Sequence, residues 1–419
     1  MTAVFATSPN LALDEAVNRL RAEGRSLVHL GFGESQLPVP DFLVARLSAG
    51  AQRNAYGPIA GAEDAREAAA GYFTRRGLAT GPEQTVLAPG SKPILFALMA
   101  ALEGSVILPK PCWVTYEPQA RLAGRGVLEV PIPAESGGVP DPERLPEAIR
   151  AHRAAGGDPR ILLLTLPDNP TGTYPSRETV RRLCEIAEEE DLLIISDEIY
   201  RDILHEDGAS VTSPAEFVPD RTVVTSGLSK SLALGGWRIG FARFPDTGKG
   251  RWLRSRVLGV GSEIWSTLAG PMQEVAVHAL SEPDEVVAHL SASVRLHGSV
   301  AAAVHAIVTE AGAVCRRPTG GFYVYPDFEQ ARAVLAAKSV TDSASLQEYL
   351  IERLGVAVLG GHHLGDVPRC LRFRAATSML YGETPAERWA ALRAPDPVAL
   401  PHVAAQLDTL RDAFARLTE

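Results

Sequence analysis

The chain has 419 residues, 46% of them hydrophobic and 22% charged, which predicts a folded, water-soluble protein long enough for two domains around an extended core. Its net charge of −9 and the lack of a basic stripe argue against a nucleic-acid or anionic-membrane partner and favour a small-molecule substrate. Four cysteines, Cys112, Cys184, Cys315 and Cys370, lie far apart without CxxC spacing, so reduced thiols in a cytosol are expected instead of a disulfide framework or a zinc site.

The opening stretch "MTAVFATSPNLALDEAVNRL" lacks a basic region followed by an apolar one, and no uncharged apolar run is long enough to span a bilayer, so neither export nor membrane anchoring is expected. From about residue 85 to 245 short apolar runs alternate with amphipathic stretches: "TVLAP" then "PILFALMAAL", "SVILP", "GVLEVPI", "RILLLTLP" then "RETVRRLCEIAEEE", "LLIISDE", "TVVTSG" and "IGFARF". This rhythm predicts an α/β fold with a mostly parallel sheet covered by helices on both faces. Ligands of such sheets bind at the carboxyl ends of the strands. Residues 284–310 read as one long helix, followed by short strands in "GGFYVYPDF", "GVAVLGG" and "CLRFRAATS" that belong to a smaller α+β domain. The expected division is 41–283 for the large domain and 1–40 with 284–419 for the small one.

Several residues stand where such strands end. "LGFGES" holds Gly31 and Gly33, but Gln36 occupies the place of the third glycine of a dinucleotide fingerprint. In "VLAPGSKPILFAL", Gly90, Ser91 and Lys92 precede an apolar helix whose free amides suit a phosphate, although a plain capped helix has the same pattern. Trp113 of "PKPCWVTYEP" offers a flat ring for stacking, or a core aromatic. Asn169 begins a Pro-Thr-Gly turn. Asp197 closes the buried run "LLIISD", with Tyr200 three residues on; a carboxylate there needs a cationic partner such as a protonated pyridine nitrogen, unless it caps a helix. Lys230 follows "TVVTSGLS" and precedes Gly235, Gly236 and Arg238, and an amine among apolar neighbours loses its proton more readily and can attack a carbonyl. His362 and His363 are adjacent, so on a strand they would point to opposite faces and could not easily share a metal; they are expected in a loop, and no metal site is expected.

Read in order, "AYGPIAGAEDAREAAAGYF", "PGSKPILFAL", "PCWVTYEP", "DNPTGTYP", "SDEIYRDI", "SKSLALGGWRIGFA", "PTGGFYVYPDF" and "LRFRAATS" resemble the class I/II aminotransferases, the fold-type I pyridoxal-phosphate enzymes, over about residues 28–380. The resemblance implies pyridoxal 5'-phosphate as cofactor, with Lys230 as its Schiff-base lysine and the group that moves the substrate's Cα proton. It implies that Asp197 pairs the ring nitrogen, that Asn169 and Tyr200 hold the phenolic oxygen, and that Trp113 stacks on the ring. Gly90, Ser91, Lys92, Ser229 and Arg238 would take the phosphate. Tyr56 would reach the phosphate of a neighbouring subunit, implying a homodimer with shared sites. Arg372 matches the arginine that grips the substrate's α-carboxylate, with Gly33 closing over it. The expected reaction is amino-group transfer between an L-amino acid and a 2-oxo acid.

Two features depart from the family pattern. Arg374 lies two residues after Arg372, where relatives usually carry a small polar residue; it is expected either to sense a second anionic group of the substrate or to pair with a nearby Glu or Asp. Residues 379–397 read as an insertion that either lengthens a surface connection or covers the pocket. The same cofactor apparatus also serves lyases, cyclases and carbon–carbon bond-forming enzymes, and an aminotransferase-like effector domain of a transcription regulator is a non-enzymatic alternative. Retention of the whole set from Trp113 to Arg372 favours transamination.

Overall fold

The computed structural model describes residues 7–419, so the first six residues of the expected small domain lie outside the described residues. After an N-terminal helix, Pro9–Ala22, and a short strand, Val28–His29 (β1), the chain builds seven strands: Thr85–Ala88 (β2), Ser105–Lys110 (β3), Val127–Pro131 (β4), Pro159–Thr165 (β5), Leu193–Asp197 (β6), Thr222–Gly227 (β7) and Gly240–Arg243 (β8). They form one sheet in the order β2-β8-β7-β6-β5-β3-β4, in which β8 runs antiparallel to both its neighbours and every other pairing is parallel.

The expected mostly parallel sheet follows from strands that are apolar on both faces. Leu163 of β5 and Ile195 of β6 pack on one side with Ile94 and Leu98 of the helix Ser91–Ala101. Leu162, Leu164 and Ile194 alternate to the other side and meet Val180 and Leu183 of the helix Arg177–Glu189. That second helix starts where Ser176 Oγ accepts a hydrogen bond from the Thr179 amide at 3.1 Å.

The long helix spans Asp284–Glu310, with Asp284 and Glu285 in its first turn, where the helix dipole favours acids. It buries Leu296, Val300, Val304 and Ile307, at helical spacing, against Val403, Leu407, Leu410 and Phe414 of the C-terminal helix Pro401–Thr418. The strands Tyr323–Val324 (β9), Val356–Ala357 (β10), Leu359–Gly360 (β11) and Phe373–Ala376 (β12) complete this part. β11, β12 and β9 make an antiparallel sheet, and β1 pairs in parallel with β10, Val28 opposite Val356. Leu30 and Leu37 join the same core, so the N-terminal segment is anchored on the C-terminal third of the chain.

One local expectation needs correction. Residues 379–397 form neither a loose surface link nor a cover: the helix Pro385–Arg393 packs on the long helix, and Leu380, Tyr381, Ala391 and Leu392 enter the core. His362 and His363 sit outside the strands, as expected, on a 3₁₀ turn, Gly361–Leu364, with ring centroids 3.8 Å apart. No helix among the described residues is long and apolar enough to cross a membrane.

Candidate active site

The parallel strands β5, β6 and β7 end together, and their register sets Thr165, Asp197 and Thr225 side by side. Asp197, 2% exposed, accepts a hydrogen bond from Tyr116 Oη at 2.8 Å on Oδ2 and one from Thr225 Oγ1 at 3.4 Å on Oδ1; Thr165 Oγ1 meets the same phenol at 2.8 Å. Burial pushes the Asp197 carboxyl up to about 6, against the opposing pull of Tyr116, the Ile199 amide and Thr225. Burial, and then the charge on Asp197, push the Tyr116 phenol well up, so it keeps its proton and donates it. Sequence reasoning did not single out Tyr116. The available signal was its place three residues after Trp113 at the start of a helix, and the two rings do meet edge to face at 5.2 Å.

The residues that follow these strand ends turn toward one cavity of about 440 Å³. Gly33, Ser91, Lys92, Trp113, Asn169, Asp197, Tyr200, Ser229, Lys230, Arg238 and Arg374 all line it. Lys230 stands on a single helical turn, Leu228–Ser231, directly after β7. Its Nζ donates to the Gly33 carbonyl at 2.5 Å and lies 6.0 Å from the Tyr200 ring centre and 5.9 Å from that of Phe322. Burial brings the Lys230 ammonium down to about 8; Glu34 opposes the shift, and Arg374, Arg238 and Lys92 add to it. Tyr200 Oη is 2.6 Å from Tyr323 Oη. Gly33 is needed where it stands, because a Cβ there would lie 2.6 Å from that Tyr323 oxygen.

A second end of the cavity is cationic. Gly90, at φ +94°, caps the helix Ser91–Ala101, and a Cβ on it would lie 2.2 Å from Arg238 Nη2. Gly240 of β8 in turn lies so close under Gly90 that a Cβ there would be 2.1 Å from the Gly90 carbonyl carbon. Two glycines thus bring a guanidinium, the free amides of a helix start and the Lys92 ammonium together. Burial lowers the Lys92 ammonium, and Arg238 adds to the shift; burial lowers Arg238 as well, opposed by Glu34. Such a cradle fits a dianionic phosphate. With an amine, a buried acid and an aromatic face in the same cavity, the residues present fit a pyridine aldehyde phosphate. Gly235, one of the glycines noted in the sequence, gives room to a carboxylate: a Cβ there would lie 2.7 Å from Glu34 Oε1, whereas Gly236 has nothing within 4 Å.

Arg372 and Arg374 exchange their expected environments, which corrects the expectation that Arg372 enters the pocket. Arg372 Nε donates to Asp327 Oδ2 at 2.8 Å and Nη1 to Asp366 Oδ2 at 3.1 Å, with 38% of its side chain exposed, and it lines a separate surface cavity. Arg374 is fully buried and meets no carboxylate among the described residues. Its Nη1 donates to Asn169 Oδ1 at 3.2 Å, its Nη2 to Asn10 Oδ1 at 3.0 Å and to the Gly31 carbonyl at 2.6 Å, and its Nε has no partner among them. The two residues occupy one continuous pairing register with Asp327–Tyr323, but a separation of two residues carries them about 7 Å along the strand, enough to leave Arg372 beyond the cavity. Tyr56 lies outside the cavity and is 90% exposed.

The family model for aminotransferase class I and II matches residues 26–380. The chain is 32% identical over 369 residues to an aspartate/prephenate aminotransferase of Thermus thermophilus, covering 84% of this chain and 88% of the relative. It is 30% identical over 392 residues to an aspartate aminotransferase of Geobacillus stearothermophilus, covering 91% and 95%. The solved structure of Thermus thermophilus aspartate aminotransferase with maleate superposes with a TM-score of 0.82 at 29% identity, over 98% of this chain and 97% of that one. Since the matched segment runs through every cavity residue from Gly33 to Arg374, the chain belongs to the class I and II aminotransferases and is a pyridoxal-phosphate-dependent aminotransferase.

Proposed function

We propose that Lys230, Asp197 and Arg374 divide the work of amino-group transfer between an L-amino acid and a 2-oxo acid. The observation behind this reading is Arg374, a fully buried guanidinium whose partners are neutral amide and carbonyl oxygens. A buried charge without a counter-ion is costly, and a substrate α-carboxylate removes that cost. Arg374 therefore takes the role that the family resemblance gave to Arg372, and Asn169 orients it. Gly33 presents its carbonyl to Lys230 beside this subsite.

Gly90 and Ser91 offer backbone amides, and Lys92, Ser229 and Arg238 their side chains, to the cofactor phosphate; Trp113 covers one face of the ring. When bound, the cofactor supplies an electrophilic carbonyl and a ring that accepts the electron pair left when the substrate's Cα–H bond breaks. Asp197 holds the ring nitrogen protonated, and Tyr116 holds Asp197. Asn169 and Tyr200 hydrogen-bond the ring's phenolic oxygen. With the cofactor bound, Lys230 Nζ would serve as the base for the substrate's Cα proton and then as the acid that gives a proton back, and a lysine brought down to about 8 is suited to both tasks near neutral pH. Asp197 contributes most as negative charge spreads into the ring, so its effect falls on the rate more than on binding.

The exposed Tyr56 supports a two-fold dimer in which it reaches the partner's phosphate site, and a cytosolic location fits the unpaired thiols. The deciding experiment is stoichiometry. The enzyme loaded with cofactor and given one amino acid alone is expected to release one equivalent of 2-oxo acid per site and then stop, resuming only when a second 2-oxo acid is added. Continued release without an acceptor would favour a lyase-type reaction instead.

A further inference from the structure

Three distant segments close around one fully buried phenol, Tyr323 of β9, in the stretch "PTGGFYVYPDF". Beyond the end of β6, Tyr200 brings its Oη to 2.6 Å from Tyr323 Oη. In the N-terminal segment, Gly33 leaves open the space that a Cβ would fill at 2.6 Å from the same oxygen, and its carbonyl lies 3.4 Å away. In the turn that begins at Asn169, Gly172 stands under the Tyr323 carbonyl, where a Cβ would lie at 2.2 Å. Tyr323 does not line the cavity, so it acts there through the residues it touches.

A phenol has one hydrogen to give. Burial raises both phenols above their ordinary values, opposed by Arg374, so both keep their hydrogens near neutral pH. The charges of Asp197 on Tyr200 and of Asp168 on Tyr323 push the same way. The hydrogen between the two oxygens comes from one of them. If Tyr200 gives it, Tyr200 has none left for the cavity, and the Tyr323 hydrogen is left with a Gly33 carbonyl that is 3.4 Å away and already accepts from Lys230 Nζ at 2.5 Å. If Tyr323 gives it, the Tyr200 hydrogen is free for an oxygen in the cavity, and an anionic oxygen there makes the stronger bond.

We propose that Tyr323 is a positioning residue, which donates its hydrogen to Tyr200 and so aims the Tyr200 hydrogen at the phenolic oxygen of the bound cofactor. A hydrogen bond accepted by Tyr200 also strengthens the one that Tyr200 donates. The proposal rests on the reading of Tyr200 as a partner of that oxygen. The Tyr323 ring has a separate task, since the Arg374 guanidinium carbon lies 5.1 Å from its centre, and Tyr323→Phe keeps the ring while removing the hydroxyl.

The test follows the absorbance of the enzyme loaded with cofactor from about pH 5 to 10. A donated bond favours the ionised phenolic oxygen, so losing it raises the midpoint at which the bound cofactor gives up its proton. Tyr200→Phe is expected to raise this midpoint by about one pH unit, and Tyr323→Phe by about 0.3 unit or more. Tyr323→Phe added to Tyr200→Phe is expected to bring no further rise, because its effect passes through the missing phenol. Tyr323→Met, which also lacks the hydroxyl, carries the same measurement should Tyr323→Phe fail to fold. An unmoved midpoint in Tyr323→Phe, or an equal rise with and without Tyr200, would overturn this proposal while leaving the role of Tyr200 standing. An unmoved midpoint in Tyr200→Phe would overturn both readings together.

Discussion

Tyr116 Oη donates to Asp197 Oδ2 at 2.8 Å, so the acid at the floor of the cavity is held by a phenol from a different element. That acid is under electrostatic strain when nothing cationic is bound. Its carboxyl, ordinarily near 3.8, is pushed up to about 6, which means that the folded protein holds the proton more tightly than the unfolded chain between those values. Stability from this group is therefore complete below about pH 4 and lost as pH rises through 6, by on the order of 2–3 kcal/mol. Cofactor-free Asp197→Asn is expected to have a higher Tm than cofactor-free wild type at pH 8, with the gap closing toward pH 4, while losing its hold on the cofactor. A variant equally destabilised at both pH values would contradict the charge argument.

Arg372 and Arg374 supply a paired test. Removing Arg374 takes away the one charged donor assigned to the α-carboxylate, so Arg374→Ala is expected to lower kcat/KM about 10²- to 10³-fold for every amino acid. Arg372 instead joins Asp327 and Asp366 at a partly exposed site, and such pairs contribute about 1 kcal/mol or less. Arg372→Ala should then lower Tm slightly and leave kcat/KM within about threefold. Steady-state kinetics and melting curves on both variants check this, and the opposite pattern would return the carboxylate to Arg372.

The Lys230 amine gives a third expectation. An ammonium brought down from 10.5 to about 8 by burial is largely neutral at pH 9, and only the neutral form attacks an aldehyde. The rate at which the cofactor-free enzyme captures pyridoxal phosphate should rise with pH, with a midpoint near 8. Glu34 raises the Lys230 value, so in Glu34→Gln the midpoint should move to lower pH. Absorbance-monitored reconstitution across pH 6–10 measures both, and a midpoint that does not respond to Glu34→Gln would place that carboxylate away from the amine.

How much of this was legible beforehand depended on the kind of signal. The strands that end in Asp197 or lead to Asn169 and Lys230 announce themselves as apolar runs followed by polar residues, a local pattern that the buried sheet enforces. The phosphate cradle was visible for the same reason, since a glycine before a helix start is a local feature. Tyr116 was not visible, because its partner Asp197 is 81 residues away. Nor could motif spacing tell Arg372 from Arg374: the difference lies in Asp327 and Asp366, which neutralise one of them, and in Asn10 and Asn169, which leave the other charged. Segment 379–397 departs from the surface connection expected of an insertion because Tyr381, Ala391 and Leu392 are apolar enough to enter the core of the C-terminal part.

That segment offers the last prediction. Tyr381 Oη lies 2.5 Å from Nδ1 of the fully buried His297, and burial brings the imidazole down to about 3, so it stays neutral in the fold. In the unfolded chain it protonates near 6.5, so stability from this group is intact above that value and falls as pH drops toward 3. Tyr381→Phe breaks a buried hydrogen bond and should cost about 1 kcal/mol of stability at pH 7. It should leave kcat/KM within about twofold of wild type, because a core contact outside the cavity moves no substrate group. His297→Gln should flatten the acid side of the stability curve. Melting curves from pH 4 to 8 together with steady-state kinetics separate the two roles of the segment: a loss of kcat/KM at unchanged Tm in Tyr381→Phe would make it a cover for the pocket after all.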